Sequence, residues 1–167
     1  MIRRATATDA PAVAALFRRS YGTLTFLPTL HTPDEDRAHF AGLIEREEVW
    51  VEEDDGRLRG FIVLTGNVLE ALYVEPDVHG HGVGSALFDH AKQLRPDGFE
   101  FWVFQRNERA RRFYEARGCR LIRLTDGSAN EEREPDALYE WRPANRAAAR
   151  ISPARAPGGQ GRGSSAR

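Results

Sequence analysis

A glycine-rich segment between an apolar strand and an amphipathic helix is the part of the sequence best suited to chemistry. It spans residues 79–84 (HGHGVG) and follows the apolar stretch at residues 68–74. Without Cβ atoms, its glycines allow backbone N–H groups to approach an anion closely. The N-terminus of the helix that follows adds unpaired donors and about half a positive charge. The segment therefore predicts a phosphate-binding cradle, although a tight strand–helix connection without a ligand would use the same glycines.

Two other interpretations of this segment are disfavoured by its residues. The dinucleotide pattern G-x-G-x-x-G would need glycine at Ser85, and the phosphate-loop pattern would need a lysine after the glycines. His79 and His81, together with His90, could instead ligate a metal ion, but the glycine context argues against such a site. We therefore predict that the protein holds no metal.

A second motif downstream decides how the glycine segment is interpreted. It has the form N-x-x-A-x-x-F-Y-x-x-x-G, and its members are Asn107, Ala110, Phe113, Tyr114 and Gly118. Together with the strand that ends in Val74-Glu75-Pro76, the two motifs resemble those of the GNAT superfamily of N-acetyltransferases. The resemblance covers about residues 1–142, with one departure: His79 stands where the family has glutamine or arginine. It implies acetyl-CoA as the acetyl donor.

The resemblance also implies how the cofactor is held. The strands that end at Val74 and begin at Phe99 should splay apart, so that backbone groups near Leu72 bind the pantetheine arm and polarise the thioester carbonyl. The expected cofactor-binding residues are Leu72, Tyr73, Val74, His79, Gly80, His81, Gly82, Val83, Gly84, Ser85, Asn107 and Tyr114. Because two of them are histidines, we expect cofactor affinity to rise as the pH falls through ~6.5.

Two side chains are candidates for proton transfer. The resemblance implies that Tyr114 is the general acid that protonates the leaving CoA thiolate, and a purely structural core aromatic is the alternative. Glu70 lies in mid-strand among apolar residues, and strict alternation places it on one face with Leu72 and Val74. We expect Glu70 to be the general base, as carboxylates near this position are in several relatives, often through water. A structural ion pair with an arginine is the alternative for Glu70.

The acceptor is expected to bind near the connection between the first two helices. Residues 22–30 are apolar and irregular, and the resemblance implies that this connection walls the acceptor site. The candidate acceptor residues, all of which could fill the core instead, are Tyr21, Phe26, His31 and Trp102. The acidic loop 126–136 favours a cationic acceptor. We expect a primary amine of a small molecule to attack the thioester directly; a protein lysine or N-terminus as acceptor, or a non-catalytic acyl-CoA-binding module, are the alternatives.

Periodicity and turn residues predict an α/β (α+β) fold, in which a mixed, mostly antiparallel seven-stranded sheet is flanked by about four helices. This is the sandwich that the resemblance implies. The predicted strands are residues 2–4, 48–52, 58–64, 68–74, 99–104, 120–125 and 137–141. The predicted helices are one capped by Thr8 that ends near residue 21, residues 33–45 and 83–94, and one capped by Asn107 that ends near residue 117. A doubly wound parallel sheet is disfavoured, because no helix separates the strands between residues 48 and 74.

Composition bounds the remaining possibilities. The 167 residues suit one folded domain, predicted as residues 1–143, and an Arg/Ala/Gly/Ser-rich tail at 144–167 that we expect to be disordered. The formal net charge of −1 argues against a nucleic-acid partner. A single cysteine, Cys119, and the lack of a signal peptide or long apolar run predict a cytoplasmic protein without membrane contact. Lys92 is the one lysine among the 24 lysine and arginine residues, and this preference for arginine is typical of GC-rich bacterial genomes. The resemblance also allows for a homodimer.

Overall fold

A seven-stranded sheet with helices on both faces forms the described part of the chain. The computed structural model describes residues 1–144, so the predicted tail lies outside the described residues from position 145 onward. The strands are β1 (Ile2–Arg4), β2 (Glu48–Asp54), β3 (Arg57–Thr65), β4 (Val68–Val74), β5 (Phe99–Phe104), β6 (Arg120–Leu124) and β7 (Asp136–Trp141). The helices are α1 (Ala10–Tyr21), α2 (Pro33–Arg46), α3 (Val83–Leu94) and α4 (Glu108–Glu115).

The order of strands in the sheet is β1-β2-β3-β4-β5-β7-β6. Only β4 and β5 pair in parallel, because α3 connects them as a crossover, and the other described neighbours are antiparallel. The predicted fold class is thereby confirmed. Most predicted element boundaries lie within two residues of the observed ones, as expected for segments bounded by caps, prolines and glycines.

Two apolar cores lie on opposite faces of the sheet. Helices α1 and α2 cover one face, where the ring centroids of Phe40 and Phe61 are 5.4 Å apart. Helix α3 covers the other face, where the Phe88 ring lies 5.6 Å from Phe99 and 5.5 Å from Tyr114. Such aromatic pairs contribute about 0.5–1.5 kcal/mol each beyond the burial of their area. The contact between Phe88 and Tyr114 therefore anchors α4 against α3.

Strands β4 and β5 are paired only where both begin. Val68 is in register with Glu100, and the backbone N–H of Glu100 donates to the carbonyl of Asn67 at 3.0 Å. No further β4–β5 register pair is present within residues 1–144, and the strands diverge toward Val74 and Phe104. The wedge between them is the divergence that the resemblance implied.

The start of α1 differs from the prediction that Thr8 caps it. A 3-10 turn at Ala7–Asp9 precedes the helix, which begins at Ala10. The carboxylate of Asp9 accepts the backbone N–H of Thr6 at 2.7 Å and two N–H groups of Arg3 at 2.8 and 2.9 Å. Asp9 and Thr6, rather than Thr8, therefore close this end, because the ion pair with β1 fixes where the turn forms.

A bulge in β4 makes the predicted orientation of Glu70 wrong. Val63 of β3 is in register with Ala71, but the next residue, Leu64, is in register with Leu69. Glu70 is thus the extra residue on β4, and a bulge interrupts the two-residue alternation of side chains. As a result Leu69, and not Glu70, joins the core cluster on the α3 side of the sheet.

Gly60 lies where β3 packs tightly against helix α3. A Cβ atom at this position would lie 2.8 Å from Cδ1 of Leu87 and 3.0 Å from the carbonyl oxygen of Tyr73. We expect Gly60→Ala to lower the free energy of unfolding by about 1–3 kcal/mol through overpacking, and the melting temperature by about 2–4 °C per kcal/mol. Thermal unfolding measures this. Gly84→Ala is the control, because its Cβ makes an ordinary 3.5 Å contact with Phe113; equal melting temperatures for both variants would contradict the prediction.

Candidate active site

A cavity of about 400 Å³ lies at the end of β4, where this strand has diverged from β5. The end of α1, the end of β4, the glycine segment and α4 form its walls. Ten of the twelve residues expected to bind the cofactor line it, and His81 and Val83 do not. The Val83 side chain is 4% exposed and belongs to the core beneath α3, while the side chain of His81 is exposed and is not part of the cavity wall. The volume suits part of a ligand of drug size or larger.

The glycine segment adopts the backbone conformation that its sequence predicts. Gly80 and Gly82 both have φ of +82°, a left-handed value that favours glycine over other residues. Gly82 is the N-cap of α3, and the first helical bond runs from the N–H of Ala86 to the carbonyl of Gly82 at 3.0 Å. The N–H groups ahead of that bond have no partner within the helix; they belong to Val83, Gly84 and Ser85. These donors and the helix dipole form a site that fits a phosphate group.

The open edge of β4 supplies further backbone groups to the cavity. The N–H of Glu75 donates to the carbonyl of Arg59 on β3 at 2.8 Å. Because backbone groups alternate in direction along a strand, those of Leu72 and Val74 face away from β3, toward the diverged β5. The carbonyl of Val74 accepts a hydrogen bond from His79 at 3.0 Å. The backbone N–H of Leu72 is thereby placed to donate to a carbonyl of an extended ligand.

Two arginines that the sequence reasoning missed also line the cavity. Arg109 of α4 places Nη1 2.7 Å from Nδ1 of His79. Arg117 follows α4, donates to Oγ of Ser85, and has its guanidinium carbon 3.6 Å from the centroid of the Phe113 ring. Neither arginine belongs to the motif, and in a chain so rich in arginine no single one stands out. Both bring positive charge to the end of the cavity where the glycine segment lies.

The pKa of His79 corrects the expectation that acidification charges this residue near pH 6.5. Burial lowers the pKa of His79, and the Arg109 guanidinium lowers it further, against the opposing effect of the hydrogen bond to Val74. The neutral imidazole of His79 therefore persists to lower pH than that of an ordinary histidine.

Tyr114 belongs both to the cavity wall and to the core. Its side chain is 3% exposed, and its ring centroid lies 4.3 Å from that of Phe101 on β5. Burial raises the pKa of Tyr114 well above the ordinary value for tyrosine, and the nearby Cys119 thiol adds to the effect. The phenol is therefore protonated at every physiological pH, so it carries the proton that a general acid must supply, while its raised pKa makes it a weaker acid than an exposed tyrosine.

Asn107 and Glu70 differ in their relation to the cavity. Asn107 lines it and also caps α4, since its Oδ1 accepts the N–H of Ala110 at 3.2 Å.

Glu70 is not among the residues that line the cavity in the described part of the chain. Burial raises the pKa of Glu70 to about 7, and the negative charge of Glu47 contributes. A carboxylate with this pKa is half ionised near neutral pH, in the range that suits a general base.

The four residues expected to contact the acceptor do not share one pocket. Tyr21 and His31 line a second, smaller cavity of about 80 Å³. Phe26 instead packs edge to face on Phe104, with ring centroids 6.3 Å apart, and stacks under the guanidinium of Arg106. Trp102 lines neither of these two cavities, and the Arg123 guanidinium lies 5.4 Å from its ring. The structure therefore does not bring the four residues into one cavity, because Phe26 packs against Phe104 and Arg106, and Trp102 lies beside Arg123 of β6.

The acidic loop between β6 and β7 is partly neutralised by internal contacts. Glu134 forms an ion pair with Arg106, with 2.5 Å between Oε1 and Nε. Asp136 is 4% exposed and accepts the amide of Asn130 at 3.0 Å. Oε1 of Glu131 lies 2.6 Å from Nε2 of His31, which connects the loop to the segment between α1 and α2. The loop therefore offers a cationic acceptor fewer free carboxylates than the sequence suggested.

Within residues 1–144 no group of three or more histidine, cysteine, aspartate or glutamate side chains is arranged to hold a metal ion. None of the helices in that part of the chain is both long enough and apolar enough to cross a membrane.

Comparisons with known proteins bear on the same region. The family described as the acetyltransferase (GNAT) domain matches residues 45–119. The chain is 31% identical over 122 residues to the peptidyl-lysine N-acetyltransferase YjaB of Salmonella typhimurium, covering 72% of this chain and 83% of that protein. It is 30% identical over 125 residues to the peptidyl-lysine N-acetyltransferase YiaC of Escherichia coli, covering 73% and 84%. The solution structure of apo YjaB from Escherichia coli superimposes with a TM-score of 0.70 at 26% identity, covering 84% and 95%.

Proposed function

Since the chain belongs to the GNAT family of N-acetyltransferases, we propose that it transfers the acetyl group of acetyl-CoA to the side-chain amine of a protein lysine. The observation that carries the proposal is the cavity at the end of β4. It has phosphate-binding donors at the glycine segment and a buried, protonated phenol, Tyr114, in its wall. The buried free thiol of Cys119 fits a reducing compartment, and we place the reaction in the cytoplasm.

The cofactor end of the site has complementary groups for each part of acetyl-CoA. The N–H donors at the start of α3 and the nearby Arg109 and Arg117 suit phosphates, which are anionic acceptors. The exposed β4 edge at Leu72 suits the amide groups of the pantetheine arm, which can pair as a short strand does. Acetyl-CoA supplies an activated acetyl group as a thioester. The N–H of Leu72 polarises the thioester carbonyl, where negative charge develops as the amine attacks.

Proton transfer is assigned to two residues of this chain. Glu70, acting through a water molecule, takes the proton that the attacking amine loses when its nitrogen bonds to the carbonyl carbon. Tyr114 gives its proton to the CoA sulfur when the carbon–sulfur bond breaks, and regains one from solvent. The net change moves one acetyl group to nitrogen and one proton to sulfur.

The names of two relatives favour a lysine side chain as the acceptor. Both curated relatives are named peptidyl-lysine N-acetyltransferases. A small cationic amine is the second candidate, because two contacts tie the α1–α2 segment to neighbouring elements. These are the stacking of Phe26 with Arg106 and the contact of His31 with Glu131, and they narrow the space beside β5.

The acceptor can be identified by measuring thiol release from acetyl-CoA in the presence of matched amines. We expect a peptide with a blocked N-terminus and one lysine to react with kcat/KM at least tenfold above spermidine or an amino sugar. The matched control is the same peptide with arginine in place of lysine, which should release no thiol. Preference for the small amines would overturn the lysine assignment. Binding of acetyl-CoA without release for any amine would indicate the non-catalytic module instead.

A further inference from the structure

His79 uses both of its ring nitrogens inside the protein. Nε2 lies 3.0 Å from the carbonyl oxygen of Val74, and Nδ1 lies 2.7 Å from Nη1 of Arg109. A carbonyl can only accept and a guanidinium can only donate, so Nε2 carries the proton and Nδ1 presents its lone pair. The imidazole therefore faces Arg109 as a hydrogen-bond acceptor and has no ring nitrogen left for a ligand.

Arg109 is held in place without being neutralised. It is the second residue of α4, and it lines the cavity together with Gly80 and Gly82. Among residues 1–144 the ion pairs with carboxylates do not include Arg109, although α4 also holds the Arg112–Glu108 pair. Its one side-chain hydrogen bond there goes to a neutral imidazole, which orients the guanidinium but leaves its charge uncompensated.

We propose that Arg109 is the cation that binds a phosphate of the cofactor, and that His79 is a positioning residue that holds its guanidinium toward the glycine segment. The proposal rests on the proposed function, since it names the residues that read the phosphates of acetyl-CoA. His79 stands where the family has glutamine or arginine, so in this chain α4 supplies the cation beside the glycine segment. A guanidinium pre-oriented by an imidazole loses less side-chain freedom when it binds a phosphate, and it can bind two oxygens at once.

The surroundings of His79 support this assignment. Burial lowers the pKa of His79, and the Arg109 charge acts in the same direction. The carboxylates of Asp77 and Glu75 act in the opposite direction, but Asp77 is paired with Arg57 and Glu75 with Arg19. A protonated imidazole would donate from Nδ1 and so lose its acceptor for Arg109. The neutral ring is the form that can position the guanidinium.

Calorimetric titration of the full chain with CoA, 3′-dephospho-CoA and pantetheine tests the proposal. We expect Arg109→Gln to raise the Kd for CoA about tenfold or more and to leave the Kd for pantetheine, which has no phosphate, unchanged. An equal loss for CoA and dephospho-CoA would assign Arg109 to the pyrophosphate. A loss for CoA alone would assign it to the 3′-phosphate. Arg112→Gln, on the same helix with a side chain 74% exposed, is the matched control and should bind CoA as the wild type does.

Variants of His79 separate positioning from a merely structural role. His79→Ala should raise the Kd for CoA about threefold to tenfold, and His79→Gln should restore most of the affinity. A glutamine amide can still donate to Val74 and accept from Arg109. The double variant with Arg109→Gln should bind no more weakly than Arg109→Gln alone, since His79 acts through that residue. Nitrogen NMR of the His79 ring should show the proton on Nε2.

The outcomes distinguish this inference from the function on which it rests. A Kd for CoA within twofold of wild type in Arg109→Gln, with acetyl transfer intact, would overturn the inference alone. Additive losses in the double variant would overturn the positioning role of His79. Failure of the wild-type protein to bind both CoA and pantetheine would overturn the proposed function together with the inference.

Discussion

Replacement of Tyr114 by phenylalanine should lower kcat for acetyl transfer about 100-fold or more, with the Kd for CoA unchanged within about twofold. The change removes one hydroxyl group and keeps the ring, which packs 5.5 Å from Phe88 and 4.3 Å from Phe101. Positioned proton transfer contributes about 10²–10⁴-fold to a rate. Because burial holds the pKa of Tyr114 far above neutrality, the phenol carries its proton at any working pH. Pre-steady-state thiol release measures the chemical step directly.

Tyr139 offers a matched control for the loss of a buried tyrosine hydroxyl. Its hydroxyl donates to Oε1 of Glu115 at 2.6 Å and accepts from Nε of Arg111 at 2.9 Å. Tyr139→Phe should lower the free energy of unfolding by about 1–3 kcal/mol, because both partners lose a hydrogen bond. Its kcat should stay within twofold of wild type, since Tyr139 does not line the cavity described above. A decrease of less than threefold in Tyr114→Phe, with the fold intact, would remove Tyr114 from the chemistry.

The glycine segment and its flanking elements could be predicted because their causes are local. Each of the signals determines the structure of only a few neighbouring residues. They are the proline after β4, the glycines in left-handed backbone at positions 80 and 82, and the apolar face of the helix that follows. The same holds for the capping box of α2, where the hydroxyl of Thr32 accepts the N–H of Glu35 at 3.2 Å. Such signals survive in the folded chain because tertiary contacts reinforce them.

The remaining features of the site depend on partners that are distant in sequence. The bulge that displaces Glu70 is set by the pairing of β4 with β3, since a strand's own sequence does not fix its register. The contact between His79 and Arg109 joins residues 30 positions apart and needs α4 to lie beside the glycine segment. Arg106 is similar: it lies on Phe26 and pairs with Glu134, and so breaks up both the expected aromatic pocket and the free acidic loop.

Glu70→Gln should lower kcat/KM about 100-fold at pH 8 and remove from the pH–rate profile the inflection near pH 7 that belongs to Glu70. If Glu70 is the base, only its ionised form is active, so the wild-type rate should rise with pH through an apparent pKa of about 7. The carboxylate does not line the cavity, so we assign its action to an intervening water, and the amide of the variant cannot accept the proton. Rates measured from pH 5.5 to 8.5 at low acceptor concentration test this. An unchanged acidic limb would eliminate Glu70.

Stability provides an independent signature of the same carboxylate. A glutamate whose pKa is raised on folding binds its proton more tightly in the folded state. The wild type should therefore lose stability as the pH rises from about 4.5 to about 7. Because the side chain is partly exposed, we expect this cost at pH 8 to be about 1 kcal/mol. Glu70→Gln removes this cost. The melting temperature of the variant minus that of the wild type should therefore be about 2–4 °C larger at pH 8 than at pH 4.5.

Glu47 distinguishes a catalytic Glu70 from one that is only buried. The negative charge of Glu47 raises the pKa of Glu70, so Glu47→Gln should move that pKa downward. If Glu70 is the base, the acidic limb of the rate profile should move to lower pH in this variant, with the plateau at high pH unchanged. If the limb belongs to another group, it should stay in place while the pH dependence of stability still shifts. A single substitution that removes one charge outside the cavity thus tests whether the acidic limb of the rate profile belongs to Glu70.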